Sequence, residues 1–277
     1  MNLHTVFESF SSLFSVEGDM DSHFDQFITY ADTFYVGEPD HDFHLDLKAE
    51  HSRNVFSYAC ALACEERIFN ADRILARAQL LAALYHDLGR FPQYHRFRTF
   101  NDTASVNHAR LSAHEVKCRG FLDRETSRVR RLALAGIVMH NRFAVPSGMN
   151  SDALVVIRAV RDTDKLDIMR IMANHLTVAG VVDPVIALNT TDSPEATPAV
   201  LDAVMAGRLG LYTDMVTITD FKLLVCGWLY DLNYAWSRRA AASQGHLAAL
   251  VASLPETEQL GPFIRRFRKD LTSYVLS

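Results

Sequence analysis

Apolar residues recur along most of this chain at spacings of three and four, and no strict apolar–polar alternation lasts long enough to build a sheet. The pattern therefore predicts an all-α protein. A first helix is expected within Thr5 to Phe14 and a second from Met20 to Tyr35, stopped by Gly37 and Pro39. The acidic, histidine-rich stretch Asp40-His41-Asp42-Phe43-His44 leads into a long helix from Leu47 to Phe69, whose apolar stripe is Val55, Phe56, Ala59, Leu62 and Ala63. Asn70-Ala71-Asp72 punctuates it, and the next helix, Arg73 to Leu88, is expected to end at Gly89 and Pro92. Residues Arg90 to Asn107 read as a long aromatic and basic loop, of the kind that covers a site. Further helices are predicted over Ala109 to Leu122, Thr126 to Met139 with Thr126 as N-cap, and Ser151 to Leu176. Beyond Asn174 the pattern loosens, then returns over Asp220 to Arg239 and Pro262 to Tyr274.

No clean linker interrupts the chain, so one helical domain over residues 1–277 is expected, with a core at about 45–175 and a C-terminal helical extension at about 181–277. At 277 residues and 49% hydrophobic content there is ample material for a buried core. A formal net charge of -5, with scattered basic residues, argues against duplex nucleic acid as a partner. The start lacks the apolar run of a signal peptide, and no segment is apolar enough to span a membrane; a cytoplasmic setting without membrane partners is the expectation. The four cysteines show no C-x-x-C spacing and read as packing thiols. There is no Gly-rich phosphate loop and no G-x-S-x-G elbow.

The chemistry is concentrated in His86-Asp87, within Ala-Ala-Leu-Tyr-His-Asp-Leu-Gly-Arg. Adjacent helical residues diverge by roughly 100°, so an imidazole and a carboxylate so placed converge only on something lying beside the helix. A metal ion fits. Other candidate ligands fall in different predicted helices or at their edges: His51, His108, His140, and one of Asp162 or Asp164. Several lie beside strongly apolar faces, where an unpaired ionisable group costs several kcal/mol, a penalty that coordination removes. His4, His23, His114, His175 and His246 read as ordinary structural or surface histidines.

These residues resemble the HD superfamily of metal-dependent phosphohydrolases, over about residues 45–175. His51 in Lys-Ala-Glu-His-Ser is similar to that family's first ligand, His86-Asp87 to its doublet, and Asp164 in Thr-Asp-Lys-Leu-Asp to its distal aspartate. His108 and His140 resemble the extra histidines of members that hold a second metal. The resemblance implies an HD-domain helical bundle holding divalent ions, two in number by its six-ligand pattern, drawn from Mn, Fe, Co, Ni, Zn or Mg. It implies His51, His86 and Asp164 on one ion, His108 and His140 on the other, and Asp87 bridging both and serving catalysis. Asp162 and Asn141 are then expected to support ligands from behind. Arg90 is a candidate for neutralising a substrate phosphate, with an alternative role as a cation at a helix C-terminus. Lys165 and Arg142 are weaker candidates of the same kind. His95, Arg96 and Arg98 are candidates for meeting phosphates, and Tyr94, Phe97 or Phe100 for stacking on a base. The implied activity is hydrolysis of a phosphomonoester or phosphodiester of a nucleotide or other small phosphate compound. The alternatives are a di-iron oxygenase on the same ligands, or a nucleotide-binding sensor without turnover. Oligomeric state is not legible.

Overall fold

The computed structural model describes residues 20–177, 182–188 and 190–275; the helix expected within Thr5 to Phe14 lies outside them. The described residues form helices joined by turns, with no strand and one isolated parallel bridge between Thr191 and Thr217. The chain divides into two compact units, Met1–Asp164 and Lys165–Ser277, and the division falls inside one continuous helix, Ser151–Leu176.

In the first unit the helices are α1 (Met20–Asp32), α2 (Pro39–Glu65), α3 (Arg67–Ala71), α4 (Arg73–Tyr85), α5 (Arg90–Phe97), α6 (His108–Cys118) and α7 (Ser127–Met139), followed by the start of α8 (Ser151–Leu176). The centre is α4, which packs against both α2 and α7. Its sequence is rich in Ala, Leu, Arg and Gln, which lose little on entering a helix. Asp72 caps it, accepting from the backbone of Ile74 and Leu75 at 2.8 and 3.2 Å. Every residue from Leu75 to Tyr85 is buried, as befits a helix enclosed on all sides. Its buried polar side chains find partners for their donors: Gln79 donates to the Ala59 carbonyl at 2.8 Å, and Arg77 to Glu125 at 2.6 Å. Small residues bring the neighbours close. A Cβ added at Gly136 of α7 would fall 2.8 Å from that of Ala82 on α4 and 3.1 Å from Val156 on α8.

Two expected boundaries moved for one reason. Pro39, read as a stop, instead opens α2, and Pro92, read as ending a helix, lies in the first turn of α5. The first turn has no intrahelical partner for its N–H groups, so a residue without one is no disadvantage there. The predicted loop over Arg90 to Asn107 is therefore wrong in its first half, which is helical.

The second unit holds α9 (Pro198–Met205), α10 (Ile218–Gly227), α11 (Ala235–Ser243), α12 (His246–Ala252) and α13 (Gly261–Val275). The single helix predicted over Asp220 to Arg239 is broken by a 3-10 turn at Trp228–Asp231. Asp220 organises this unit's irregular backbone: its buried carboxylate accepts from the Thr197 amide and hydroxyl, both at 2.6 Å, and from the amides of Val216 and Thr217 at 2.9 and 3.0 Å. With Thr217 it forms the capping box of α10. The amphipathic α13 buries Phe263, Ile264, Phe267 and Leu271. No described helix is long and apolar enough to cross a membrane.

Candidate metal centre

The first unit delivers histidines and carboxylates from different elements to one place. His51 comes from the middle of α2, His108 opens α6, His140 follows the last residue of α7, and Asp164 lies on α8. His86 and Asp87 occupy the turn between α4 and α5. The Leu88 amide bonds the Tyr85 carbonyl at 3.2 Å and the Arg90 amide bonds that of Asp87 at 2.9 Å. These three-residue steps tighten the backbone just where the doublet stands. The same turn rests on the start of α6: Gly89 donates to the Ser112 hydroxyl at 2.8 Å, and a Cβ at Gly89 would come within 2.6 Å of both the His108 carbonyl and the Ser112 nitrogen.

The Asp87 carboxylate faces two histidine pairs with its two oxygens. Its Oδ2 lies 3.6 Å from His51 Nε2 and 3.9 Å from His86 Nε2, while its Oδ1 lies 3.4 Å from His108 Nε2 and 3.7 Å from His140 Nε2. Within each pair the Nε2 atoms stand 3.2 Å (His51, His86) and 3.0 Å (His108, His140) apart. Asp164 Oδ1 completes the first group, 3.2 Å from His51 and 3.6 Å from His86. Donors held about 2.1 Å from a common ion stand about 3.0 to 3.4 Å from one another in octahedral or tetrahedral arrangements. Most of these separations fall at or near that range, and His51, His86, Asp87, His108, His140 and Asp164 make up the groups able to hold an ion among the described residues.

Protons settle whether a cation fits. His86 Nδ1 contacts the Ala83 carbonyl at 2.8 Å and His140 Nδ1 the Ile137 carbonyl at 2.7 Å. A carbonyl oxygen only accepts, so these Nδ1 atoms carry a hydrogen, and a ring that holds one proton presents its Nε2 lone pair to the cluster. His108 Nδ1 donates to the Asp102 carboxylate, with both oxygens at 2.8 Å. The 3.0 Å approach of His108 and His140 thus sets lone pair against lone pair, a repulsive contact unless a cation lies beside it. Protonating a ring offers little relief: burial, with His86 and His108 nearby, pushes His140 down to about 3, and burial and Arg90 push His108 down. The residues present fit divalent metal ions.

Neighbouring groups hold the carboxylates ionised. Burial alone would raise Asp87, but Lys48, His86, Arg90 and His108 outweigh it and hold the group well below the usual range. Asp164 is likewise held far down, against its burial, by the adjoining His51 and His86 rings. Lys48 donates to Asp87 Oδ2 at 2.9 Å, and Arg90 Nε stands 3.5 Å from Oδ1. Arg90 Nη1 also reaches the Gln93 side chain (2.8 Å), the Phe100 carbonyl (2.6 Å) and Asp102 (3.1 Å). Asp102 accepts further from Gln93 at 3.0 Å and from Asn141 at 3.2 Å. Arg161, buried, donates to the carbonyls of His140 and Arg142 and so fixes the chain end that presents His140.

Sequence reasoning missed Lys48, Gln93 and Asp102. A signal existed for Lys48, which precedes His51 by three residues on one helix and so shares its face; Asp102 and Gln93 offered none. Asp164, and not Asp162, is the carboxylate brought to the histidines; Asp162 is fully buried elsewhere on α8. Asp167, three residues beyond Asp164, is fully buried and pairs with Arg170 at 2.7 Å. The Lys165 ammonium, expected at the reacting centre, is bonded to Asp231 within the second unit. Tyr94 does not offer an open stacking face: it is buried, its hydroxyl 2.9 Å from His44 Nδ1 and its ring packed against His44 and Phe100, each at 4.8 Å. His95, Arg96 and Arg98 lie on or just after α5 toward the surface, with Arg96 over the Phe97 ring and Arg98 3.6 Å from Glu38; the Arg142 side chain is exposed too.

The family model described as HD domain matches residues 49–169, which span all six of these donors. That segment is thus similar to the HD domain, an all-α fold whose family binds divalent metals. Comparison with curated proteins and with solved structures gave no match.

Proposed function

We propose that this protein is a divalent-metal-dependent phosphohydrolase that cleaves a phosphomonoester or phosphodiester, with a nucleotide or another small phosphate compound as substrate. The observation that carries this reading is the Asp87 carboxylate, whose two oxygens address two separate histidine pairs as a bridge between two ions requires. Two divalent ions, when bound, polarise phosphoryl oxygens and acidify the water between them. His51, His86, Asp87 and Asp164 would hold one, and Asp87, His108 and His140 the other.

The chain itself supplies rigidity and charge. Hydrogen bonds at Nδ1 fix the rings of His86, His108 and His140 with Nε2 toward the cluster, and burial favours the neutral form of His108 and His140 that an ion requires. Arg90 is held on one side by Gln93, the Phe100 carbonyl and Asp102 while facing Asp87, so its guanidinium keeps the bridge in place rather than swinging freely.

With Mn²⁺ supplied, the protein is expected to hydrolyse a generic aryl phosphate ester. His86→Ala or Asp87→Ala should abolish turnover by removing ligands, and unchanged turnover in either variant would refute the reading. A phosphate-release screen over nucleotides then defines the substrate.

A further inference from the structure

Two cations touch the Asp87 carboxylate, and they are held differently. Arg90 is committed to a set of protein acceptors. Among the described residues the Lys48 ammonium makes one hydrogen bond, to Asp87 Oδ2, and otherwise lies over the Phe100 ring, 5.1 Å from its centre. The oxygen it uses is the one that faces His51 and His86. Its side chain is 12% exposed, so it stands at the edge of the cluster rather than sealed within it.

Filling the centre with ions reverses its charge. Without them, the carboxylates of Asp87, Asp102 and Asp164 face the cations of Lys48 and Arg90, and the centre is acidic. Two divalent ions make it strongly cationic and draw on the Asp87 oxygen that Lys48 now uses. A largely desolvated ammonium beside such ions needs a new anionic partner, and its stem of four methylenes lets it turn toward one.

Resting on the phosphohydrolase reading above, we infer that Lys48 is the side chain that binds the phosphoryl oxygens of the substrate, exchanging its Asp87 contact for the phosphate once the metal centre is filled. Arg90, by contrast, stays with the protein as a positioning residue. The role is one of binding an anion, and no bond is made or broken at the lysine.

The test is binding of inorganic phosphate to the full chain at saturating Mn²⁺, measured by calorimetry, beside Mn²⁺ affinity measured separately. Lys48→Met keeps the stem and removes the charge. It is expected to weaken phosphate binding at least tenfold, while Mn²⁺ affinity stays equal to or tighter than that of the parent. Lys48→Arg should restore phosphate binding to within about threefold, and circular dichroism checks that both variants fold. Phosphate binding within twofold of the parent in Lys48→Met overturns the inference, and a concurrent loss of Mn²⁺ affinity would then make Lys48 a support for Asp87 alone. If the Mn²⁺-loaded parent itself neither binds phosphate nor hydrolyses an aryl phosphate ester, the phosphohydrolase reading fails first and takes this inference with it.

Discussion

Asp102→Asn is the most discriminating perturbation of the metal centre. Asp102 touches none of the facing Nε2 atoms, yet both its oxygens lie 2.8 Å from His108 Nδ1. His86 and His140 rest instead on backbone carbonyls, so the two halves of the cluster differ in how their donors are backed. An ionised acceptor behind an imidazole raises its basicity and fixes its orientation, and removing such a partner weakens metal binding by about 10 to 100-fold. The asparagine keeps an acceptor oxygen in the same place, and the Asp102 side chain is 25% exposed, so the lower end applies: about tenfold, or ~1.4 kcal/mol. The alanine variant, which also strips an acceptor from Arg90, Gln93 and Asn141, should approach the upper end. The effect is expected at one ion only. Calorimetric titration with Mn²⁺ should resolve two sites in the parent, with the His51 half unchanged and the His108 half shifted in the variant. Metal content after dialysis at intermediate free Mn²⁺ should fall from two ions per chain toward one. Equal weakening of both sites, or no change at either, would refute the reasoning. Asp87→Ala supplies the contrast, since losing the bridge should empty both.

Burial and charge give two further outcomes. His140 is held neutral in the folded chain, with a pKa near 3 against 6.5 when unfolded, so unfolding takes up a proton between those values. The stability of chelator-treated protein should be full above pH 6.5 and decline toward pH 3 by up to about 1.4 kcal/mol per pH unit from this group. Glu125, which hydrogen bonds from His23 and Arg77 pull down to about 2 against its burial, adds a second loss below its unfolded value of 4.5; a thermal midpoint that is flat from about pH 8 to about 3 would contradict both. In the second unit, Asp220→Ala leaves the amides of Thr197, Val216 and Thr217 without their acceptor and should cost about 3 kcal/mol or more in denaturant unfolding.

The helical class and the six donors were legible because both are written in residue type and spacing. Ser151 to Leu176 carries an uninterrupted helical pattern and is a helix over just that span, and Thr126 caps α7 through the Val129 amide as its position suggested. The errors arose where one residue type serves opposite ends of a helix. Pro39 and Pro92 read as stops and act as starts, since a missing N–H is compatible with either place. The supporting groups escaped for a different reason: what Asp102, Gln93 and Lys48 do depends on partners brought to them by the fold, and their own neighbourhoods in the sequence do not specify those partners. Tyr94 shows the converse, an aromatic residue in a basic stretch whose pairing with His44 turns it inward.

Gly89 ties the doublet to its neighbouring helix without contributing a donor. Because the backbone of His108 and Ser112 occupies the space where any side chain would begin, the spacing between the two histidine pairs is set by contact between main chains, which few substitutions can tune. A methyl group there would wedge α6 outward and carry His108 away from Asp87, while leaving His51 and Asp164 on elements it does not touch. One atom would thus separate a two-ion centre from a one-ion centre, and relatives that differ at this position would be the place to look for a change in metal stoichiometry.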